Sequence, residues 1–492
     1  MKNRHYRTSY LFWIVAAATG IALLLTLLLP ADHSKAENGT LPDAETAQDL
    51  YLPLLLHQLE PRPKSLFGVQ VYGDTRRGSA NYNALVASDA DWYRAEIGWS
   101  QVEPTNREPA DFNWTAPDRV VGAVYAKRYN MIATLNFAPE WASSATNGPI
   151  DKVDISEFVE FVSAVVERYD GDGIDDMRGS PVVEYFEFYN EPDRVVTTDE
   201  RSGWGEDPQA YARMLAAVYP AVKAANPDAK VLLGGIAYDW FTTQGGHYAR
   251  DFLPRVLDEG GGPFFDIMNF HGYPPFAVNW LAAGQGGPAL YEKILAVREL
   301  MGTYGLNKPI IISEAGMHSN DTSGNTNVWQ NMTEELQARY VVQLFTESAA
   351  GGVDTMIWFS LVDPPAWYAY QNGLITSEEP ATNKLGFQAY RIMDEMLDGV
   401  TPVAAARSGG TNGDDLQVYT FNKTAPARTL YVAWLNPVNT DQTTSLTVPG
   451  GAASITTIYG ATSTVVDDDD GRKDGRVTVS VGGQPIYIEV IN

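Results

Sequence analysis

The sequence predicts a (β/α)8 TIM barrel followed by a small C-terminal antiparallel β-sandwich, and two patterns carry this prediction. From Leu66 onward, short apolar runs alternate with amphipathic helical stretches, as in repeated βα units. After about Gly399 the helical period disappears, and short alternating strands are divided by Gly, Asn and Asp. A chain of 492 residues has room for a barrel of about 250 residues or more and one smaller module.

Eight apolar runs are the candidate barrel strands. They are Phe67–Tyr72, Trp92–Ile97, Met131–Phe137, Val183–Tyr189, Lys230–Gly234, Asp266–His271, Pro309–Ser313 and Thr355–Phe359. Helical patterns lie between them, such as Ile155–Tyr169 and Gln209–Ala225, and the second ends at Asn226-Pro227, where proline stops a helix. Eight strands with alternating helices predict a parallel barrel rather than an open sheet.

Six further strand patterns follow the barrel. They are Val418–Asn422, Thr429–Trp434, Thr444–Val448, Ser454–Tyr459, Arg476–Val481 and Ile486–Val490. We expect an export segment at residues 1–36, a linker at 37–65, the barrel at 66–398 and the sandwich at 399–492. The sandwich is expected to pack against the barrel, and a sugar-binding role for it is the weaker alternative.

The composition excludes several classes of protein. With 35 Lys and Arg against 61 Asp and Glu, the net charge is −26, so the surface repels nucleic acid and anionic lipid and suits a neutral substrate. Cysteine is absent, which excludes a disulfide framework, a thiolate metal site and a cysteine nucleophile. Acidic clusters at Asp170–Asp172 and Asp467–Asp470 lack the bidentate Glu of a calcium loop, so we expect solvated loops, no metal and no cofactor.

The first residues have the pattern of an export signal. Lys2, Arg4 and Arg7 precede an uncharged, mostly apolar run from Leu11 to Leu29, and Ser34-Lys35-Ala36 offers a small-x-small cleavage site. We favour a cleaved signal peptide, with an N-terminal membrane anchor as the alternative. In either case the body of the protein is expected outside the cytoplasm, either secreted or displayed at the cell surface.

The ends of the predicted strands carry the candidate functional residues, because the βα loops of a barrel enzyme converge there. Read in order, they are Arg94 and Trp99 after strand two, Pro139-Glu140-Trp141 after strand three, Asn190-Glu191-Pro192 after strand four, His271-Gly272-Tyr273 at strand six, Ser313-Glu314-Ala315-Gly316 at strand seven and Trp358 at strand eight.

Glu191 and Glu314 each end an apolar strand, where a carboxylate is costly unless it has a function. Hydrolysis of a glycoside requires two carboxyl groups that flank the scissile bond, one protonated and one ionised. We expect burial and mutual repulsion to raise the pKa of one of them. Glu140 and Glu187 are the alternative acids, although strand alternation is expected to point Glu187 away from the face of Asn190.

Two segments of the barrel resemble the clan A glycoside hydrolases. Phe186-Glu187-Phe188-Tyr189-Asn190-Glu191-Pro192 is similar to their Asn-Glu-Pro motif, and Ile311-Ile312-Ser313-Glu314 to their nucleophile strand. The resemblance covers about Phe67 to Leu397. It implies that Glu191 is the acid/base and that Glu314 is the nucleophile.

The same resemblance implies roles for the residues around the pair. Asn190 would bind the 2-hydroxyl of the cleaved sugar, Tyr273 would hydrogen-bond Glu314, and Arg94 would support Glu314 from below. Trp358 would form the sugar platform. His271 would tune the acid, and Trp141 is the remaining candidate for contact with substrate.

Within the clan, Asn136-Phe137-Ala138-Pro139-Glu140-Trp141 resembles family 39, which contains β-xylosidases and α-iduronidases. The His-x-Tyr segment also occurs in family 5, the cellulases and mannanases, but the His that family 5 places after strand three is absent here. The expected activity is retaining hydrolysis of β-linked poly- or oligosaccharides. A transglycosylase and a catalytically inactive carbohydrate-binding barrel are the alternatives, and the oligomeric state stays open.

The export segment yields the first prediction. If the signal is cleaved, residues up to Ala36 should be absent from the mature secreted protein, because the small-x-small site directs cleavage there. N-terminal sequencing of the protein recovered from the medium checks this. A sequence that begins at Met1, obtained from the membrane fraction, would instead identify an anchor.

Overall fold

The computed structural model describes residues 65–72, 79–195, 203–281, 286–320, 331–365, 368–377, 380–409, 415–424 and 427–491. The expected export segment and nearly all of the expected linker lie outside these ranges. All of these described residues belong to one compact unit. None of the described helices combines the length and the apolar character that crossing a membrane requires.

Eight parallel strands form the barrel. They are β1 (Phe67–Gln70), β2 (Trp92–Gly98), β3 (Asn130–Asn136), β4 (Tyr185–Phe188), β5 (Lys230–Leu232), β6 (Met268–Gly272), β7 (Ile310–Ala315) and β8 (Thr355–Trp358). They are hydrogen-bonded in the order β5-β4-β3-β2-β1-β8-β7-β6, and parallel bridges between Leu232 and Ile267 and between Ile236 and Phe270 connect the two ends. The predicted TIM barrel is confirmed.

Helices follow the strands and cover the barrel. They are α1 (Ala80–Ser88), α2 (Trp99–Val102), α3 (Thr115–Tyr125), α4 (Ile155–Arg168), α5 (Pro208–Ala225), α6 (Phe252–Asp258), α7 (Leu290–Thr303), α8 (Glu334–Ala350) and α9 (Leu385–Leu397). Local sequence explains several starts: the side chains of Asp154, Asp207 and Thr333 accept backbone N–H groups at the beginning of α4, α5 and α8.

The barrel interior is layered, and this layering positions the site. One apolar cluster comprises Trp92, Ile132, Tyr185, Leu232, Ile267, Ile311 and Ile357. Since a strand returns to the same face every second residue, the next inward positions lie two residues further along. These positions are polar and fully buried: Gln70, Arg94, Thr134, Glu187, Asn269 and Ser313. The apolar layer is thus followed, toward the carboxyl ends of the strands, by a polar layer.

The C-terminal module is an antiparallel sandwich, as predicted. Its strands are β9 (Val400–Gly409), β10 (Asp415–Thr424), β11 (Ala427–Asn436), β12 (Thr444–Pro449), β13 (Ala452–Thr457), β14 (Thr462–Val466), β15 (Arg476–Val481) and β16 (Ile486–Ile491). Six form a sheet in the order β14-β13-β16-β11-β10-β9, and β12 pairs with β15. The sequence patterns missed β9, which contains Pro and three Ala, and β14, whose side chains are mostly exposed at a sheet edge.

The six-stranded sheet is buried on both faces. Ala433, Ile455 and Ile488 pack toward the two-stranded sheet. Tyr419 and Trp434 stack on each other at 5.1 Å and belong to the same hydrophobic cluster as the barrel helices. The Tyr419 hydroxyl lies 3.3 Å from the carboxylate of Glu347 on α8. The sandwich and the barrel therefore share one core.

Gly68 in β1 generates a prediction about the packing of the barrel interior. A Cβ at this position would lie 2.2 Å from Cδ1 of Ile357 and 3.0 Å from Cβ of Trp92. Gly68→Ala should therefore destabilise the protein by about 1–3 kcal/mol, the usual cost of overpacking a core. The free energy of unfolding by denaturant checks this.

Gly302→Ala is the matched control, because a Cβ there meets no atom within 4 Å and lies on α7. It should leave stability unchanged or raise it by up to about 1 kcal/mol through helix propensity. Equal stabilities for the Gly68 variant and the unmodified protein would contradict the close packing of Gly68 against Ile357 and Trp92.

Candidate active site

Arg94 lies at the centre of the candidate site, fully buried in the polar layer of the barrel. Its Nη1 donates to Oε1 of Glu314 at 2.6 Å, and its Nη2 donates to Oδ1 of Asn190 at 2.7 Å. Its Nε donates to Oε2 of Glu187 at 2.6 Å. A single cation thus connects the ends of β2, β4 and β7 and holds three of the candidate side chains together.

Glu187 is the buried counter-charge of Arg94. Its carboxylate accepts hydrogen bonds from five groups: Arg94 Nε, Thr134 Oγ1, the Gly235 backbone N–H, Asn269 Nδ2 and Ser313 Oγ. Burial alone would raise the pKa of Glu187, but the Arg94 charge and these donors hold that pKa below its ordinary value. Since all its lone pairs are engaged inside the barrel, Glu187 serves as a structural anion.

The expectation that Glu187 and Asn190 face different ways is wrong. Both side chains contact the same guanidinium of Arg94. The reason is that β4 ends at Phe188, after which Tyr189 has φ 65° and Glu191 has φ 47°. Residues with a left-handed backbone break the alternation of a strand. Alternation therefore does not predict which way the side chains after Phe188 point.

Glu314 is held at both carboxylate oxygens. Arg94 donates to Oε1, and the Tyr273 hydroxyl donates to Oε2 at 2.7 Å. The register of β7 against β8 shifts between Ile312 and Ala315. Because of this irregularity, two consecutive residues point inward. Ser313 donates a hydrogen bond to Glu187, and Glu314 accepts one from Arg94.

Glu191 is the more accessible member of the carboxylate pair, with 21% of its side chain exposed against 8% for Glu314. The Tyr248 hydroxyl donates to its Oε2 at 2.5 Å, and Nδ1 of His271 lies 3.2 Å from its Oε1. The same Nδ1 lies 3.7 Å from Oε2 of Glu314. His271 therefore stands between the two carboxylates. A Cβ at residue 235 would lie 2.3 Å from its Nε2, so Gly235 leaves the room that the imidazole occupies.

The protonation of the pair differs from the expectation that burial would raise the pKa of one glutamate. Burial does raise the pKa of Glu191, but hydrogen bonds from His271 and Tyr248 outweigh it and bring that pKa below its ordinary value. Burial would lower the pKa of His271, and the charges of Glu314 and Glu191 raise it instead. In the free protein, the imidazole therefore competes with Glu191 for the proton.

The carboxylates are close together. One oxygen of Glu191, one oxygen of Glu314 and a ring nitrogen of His271 all lie within 4.8 Å of one another. This spacing would also suit a metal ion, but all four carboxylate oxygens already face protein groups, and Arg94 supplies a positive charge. The donor set therefore fits a pair of reacting carboxyl groups better than a cation site.

A second acidic group lies on the surface of the barrel. Carboxylate oxygens of Glu167, Asp170 and Asp172 are within 4.8 Å of one another, and these residues are partly or fully exposed. The carboxylates of Asp170 and Asp172 accept backbone N–H groups of their own loop. This geometry agrees with the expected solvated loop.

The aromatic residue that faces the site from β8 is Phe359, not Trp358. Because Ile357 points into the barrel, Trp358 points outward, is fully buried among the helices and donates its indole N–H to the carbonyl of Asn372 at 3.2 Å. Phe359 is partly exposed and lies edge-on to Tyr273 with ring centroids 6.4 Å apart. The expectation that Trp358 forms a sugar platform is therefore wrong, because its ring is buried among the helices and Phe359 is the aromatic residue beside Tyr273.

The contacts of Trp141 are with residues other than the carboxylate pair. It packs edge-on against Trp99 at 5.1 Å and donates its indole N–H to the carbonyl of Glu103 at 3.2 Å. These contacts tie it to the loops after β2 and β3. Glu140, the alternative acid, is exposed on the same loop.

Two residues near the carboxylates were missed by reading the sequence. Glu96 is two positions beyond Arg94 and accepts the amide of Asn136 at 3.1 Å; burial and the nearby carboxylates raise its pKa in spite of Arg94. The alternation of β2 could have identified it. Tyr248 comes from the loop after β5, and no local pattern in the sequence marks it.

No protein-family model and no curated protein sequence matches this chain. Solved structures do match. A family 39 glycoside hydrolase from Bacteroides cellulosilyticus WH2 is 18% identical, with a TM-score of 0.62 over 87% of this chain and 81% of its own. The catalytic domain of family 30 xylanase C from Talaromyces cellulolyticus is 11% identical, with a TM-score of 0.56 over 88% and 99% of the two chains.

A monomeric beta-xylosidase from Caulobacter crescentus CB15 is also similar, at 15% identity and a TM-score of 0.54 over 88% of this chain and 96% of its own. Identities this low establish shared architecture rather than shared activity. The resemblance to family 39 that the segment from Asn136 to Trp141 suggested is supported at the level of the fold. The chain has the barrel-plus-sandwich architecture of these glycoside hydrolases.

Proposed function

We propose that this protein is a retaining glycoside hydrolase that cleaves O-glycosidic bonds of β-linked poly- or oligosaccharides. The observation that carries the proposal is the spacing of Glu191 and Glu314, whose nearest oxygens lie within 4.8 Å. Retaining enzymes place their two carboxyl groups about 5–5.5 Å apart, whereas inverting enzymes need about 6.5–9.5 Å to admit a water molecule. The close spacing supports direct attack on the sugar.

The surroundings of each carboxylate support a division of roles. Glu314, buried and held by Arg94 and Tyr273, has the fixed position that a nucleophile requires. It attacks the anomeric carbon while Glu191, which takes up the proton for which it competes with His271, gives this proton to the leaving oxygen. A covalent glycosyl ester on Glu314 forms. Glu191 then removes a proton from the water that hydrolyses this ester.

Two neighbours complete the site for the sugar that is cleaved. Asn190 accepts a hydrogen bond from Arg94 through Oδ1, which fixes the amide and directs Nδ2 as a donor. This donor would bind the 2-hydroxyl, a contact that strengthens in the transition state. Phe359, beside Tyr273, supplies an apolar face on which the sugar ring would rest.

The substrate class rests on the structural neighbours and on the charge of the site. The neighbours include a xylanase and a xylosidase, and an alpha-L-arabinofuranosidase from Thermotoga maritima shares the fold with a TM-score of 0.56. Glu96, Glu187 and Glu314 lie around Arg94, and Glu191 faces Glu314, so the floor of the site carries more acidic than basic groups. A neutral sugar suits this floor better than an anionic one.

Two alternative functions are compatible with the same site. A transglycosylase differs only in accepting a second sugar in place of water, and it would make longer products from a concentrated substrate. A carbohydrate-binding barrel without catalysis would keep the shape of the site but would not need two intact, hydrogen-bonded carboxylates.

We further propose that the protein acts outside the cytoplasm, on polysaccharide in the surroundings of the cell.

The stereochemical course is the first prediction from this proposal. Because the nearest oxygens of Glu191 and Glu314 lie within 4.8 Å of each other, a spacing that suits a retaining pair, hydrolysis of an aryl β-glycoside should first release the β-anomer. Proton NMR during the first turnovers, with aryl β-xylosides, β-glucosides and β-mannosides as a panel, measures it. Initial release of the α-anomer would contradict retention.

Substitution of the two glutamates separates their roles. Glu314→Ala should lower turnover by a factor on the order of 10⁴ or more, because the covalent intermediate cannot form. Glu191→Ala should still form that intermediate from a dinitrophenyl β-glycoside, whose leaving group needs no acid, and should then accumulate it. Azide needs no base, so it should restore the rate of Glu191→Ala and yield the β-glycosyl azide.

Glu140→Ala is the control, since this carboxylate is exposed on a loop at the same end of the barrel. Its activity should equal that of the unmodified protein. A β-glycosyl azide from Glu314→Ala together with an α-glycosyl azide from Glu191→Ala would reverse the two roles.

A further inference from the structure

The loop after β5 is fixed against the segment that carries Glu191. We call residues Asp239–Arg250 the β5 loop. The backbone N–H of Val195 donates to the carbonyl of His247 at 2.8 Å, and the backbone N–H of Ala249 donates to the carbonyl of Asp193 at 2.9 Å. A bridge between Arg194 and Tyr248 completes this pairing. The β5 loop and the residues just beyond Glu191 are therefore joined by backbone pairing.

The β5 loop is also closed on itself, which fixes the direction of Tyr248. The backbone N–H of His247 donates to the carbonyl of Trp240 at 3.0 Å, and Tyr248 forms a bridge with Phe241. A Cβ at residue 246 would lie 1.6 Å from the Trp240 carbonyl oxygen, so only glycine permits this turn.

The Tyr248 hydroxyl meets Glu191 on the side opposite His271. It lies 2.5 Å from Oε2, whereas Nδ1 of His271 lies 3.2 Å from Oε1. The two oxygens therefore have different surroundings. Oε1 faces the imidazole of His271, which also lies near Glu314. Oε2 faces the Tyr248 phenol, which donates a hydrogen bond as long as it keeps its proton.

We propose that Tyr248 is a positioning residue that fixes the Glu191 carboxyl by bonding Oε2 and thereby leaves Oε1 as the oxygen that gives and takes the proton. The mechanistic meaning rests on the proposed glycoside hydrolysis, while the hydrogen bond stands on the geometry alone. In the first half-reaction the proton leaves Oε1 for the glycosidic oxygen. In the second, Oε1 removes a proton from water, and Tyr248 donates to Oε2 throughout.

A phenol is suited to this position because its own proton is held firmly. Burial and the charge of Glu191 raise the pKa of Tyr248 well above its ordinary value, so the hydroxyl remains a donor at any working pH. A donor to a carboxylate stabilises the ionised form, and the pKa of Glu191 is below its ordinary value in spite of burial. Removing the hydroxyl should therefore raise the pKa of Glu191.

Several other titratable groups face Glu191 and stay in place when Tyr248 is changed. They are His271 and Tyr273 from β6 and its loop, Glu314 from β7, Lys293 from α7, and Asp193 and Arg194 from the segment that follows Glu191. A change of one hydroxyl isolates the contribution of Tyr248 from theirs.

The test is a direct titration of Glu191 in the full chain. Glutamate labelled with ¹³C at Cδ is incorporated, the Glu191 signal is assigned by its loss in Glu191→Gln, and its chemical shift is followed with pH. Tyr248→Phe should raise the pKa of Glu191 by about one unit, as expected for losing a hydrogen bond to a charged group.

Tyr219→Phe is the matched control, because the Tyr219 hydroxyl donates to a carboxylate of Asp266 at 2.9 Å near the amino-terminal end of β6, away from the site. It should leave the Glu191 titration unchanged. An unshifted Glu191 signal in Tyr248→Phe, or equal shifts in both variants, overturns the proposal. Should Tyr248→Phe fail to fold, 3-fluorotyrosine at position 248 replaces it; its stronger donor should lower the pKa, and an unchanged titration overturns the proposal.

Kinetics supply the second readout. The high-pH limb of kcat/KM requires protonated Glu191. In Tyr248→Phe the apparent pKa of this limb should rise by the same amount as the pKa of Glu191 in the NMR titration. Turnover of a substrate with a poor leaving group should fall on the order of 10- to 100-fold, because the acid is no longer held in line. If activity falls in Tyr248→Phe while the apparent pKa of this limb is unchanged, Tyr248 has only a packing role.

The two arms separate this inference from the proposed function. If the unmodified protein hydrolyses no glycoside in the panel, the proposed function fails, and the NMR titration still decides whether Tyr248 governs the Glu191 carboxyl. If the protein is active and the titration is unmoved, the proposed function stands and the inference is wrong.

Discussion

The buried guanidinium of Arg94 is the interaction on which the rest of the site depends. It bonds Glu187, Glu314 and Asn190 inside the barrel, where water cannot replace any partner. Leaving such a charge without its partner costs several kcal/mol, so the three side chains and the cation must be present together. The Glu314 carboxylate is thus held as a part of the protein's interior.

The barrel departs from regular geometry where this network requires it. An ideal strand would send Ser313 and Glu314 to opposite faces, and a shift in the register of β7 lets both point inward. The chain after β4 turns through left-handed residues, and this places Asn190 and Glu191 over the interior that Glu187 already occupies. Such departures are typical of functional sites, since they cost stability that regular packing elsewhere must supply.

The two carboxylates are held in different ways. Side chains from the barrel strands and the residues directly after them fix Glu314, so its position is a property of the core. Glu191 lies outside the polar layer and takes its orientation from His271 on one side and from the β5 loop on the other. A nucleophile needs one position, whereas an acid/base must exchange a proton with its surroundings. In the proposed roles, Glu314 on the strands and Glu191 against a loop meet these two requirements.

Sequence periodicity by itself determined the eight barrel strands and most of the sandwich strands, because alternation and strand ends are local properties that each segment records. The resemblance to clan A glycoside hydrolases, carried by two short motifs, singled out Glu191 and Glu314. It also placed Arg94, His271 and Tyr273 beside that pair. Only the tertiary structure decided which side chains face inward where alternation breaks, as at Glu187, and it replaced Trp358 with Phe359. Tyr248 could not be found locally, since its contact with Glu191 joins residues 57 positions apart across two loops. The protonation of Glu191 belongs to the same category, because it depends on donors that only the fold brings together.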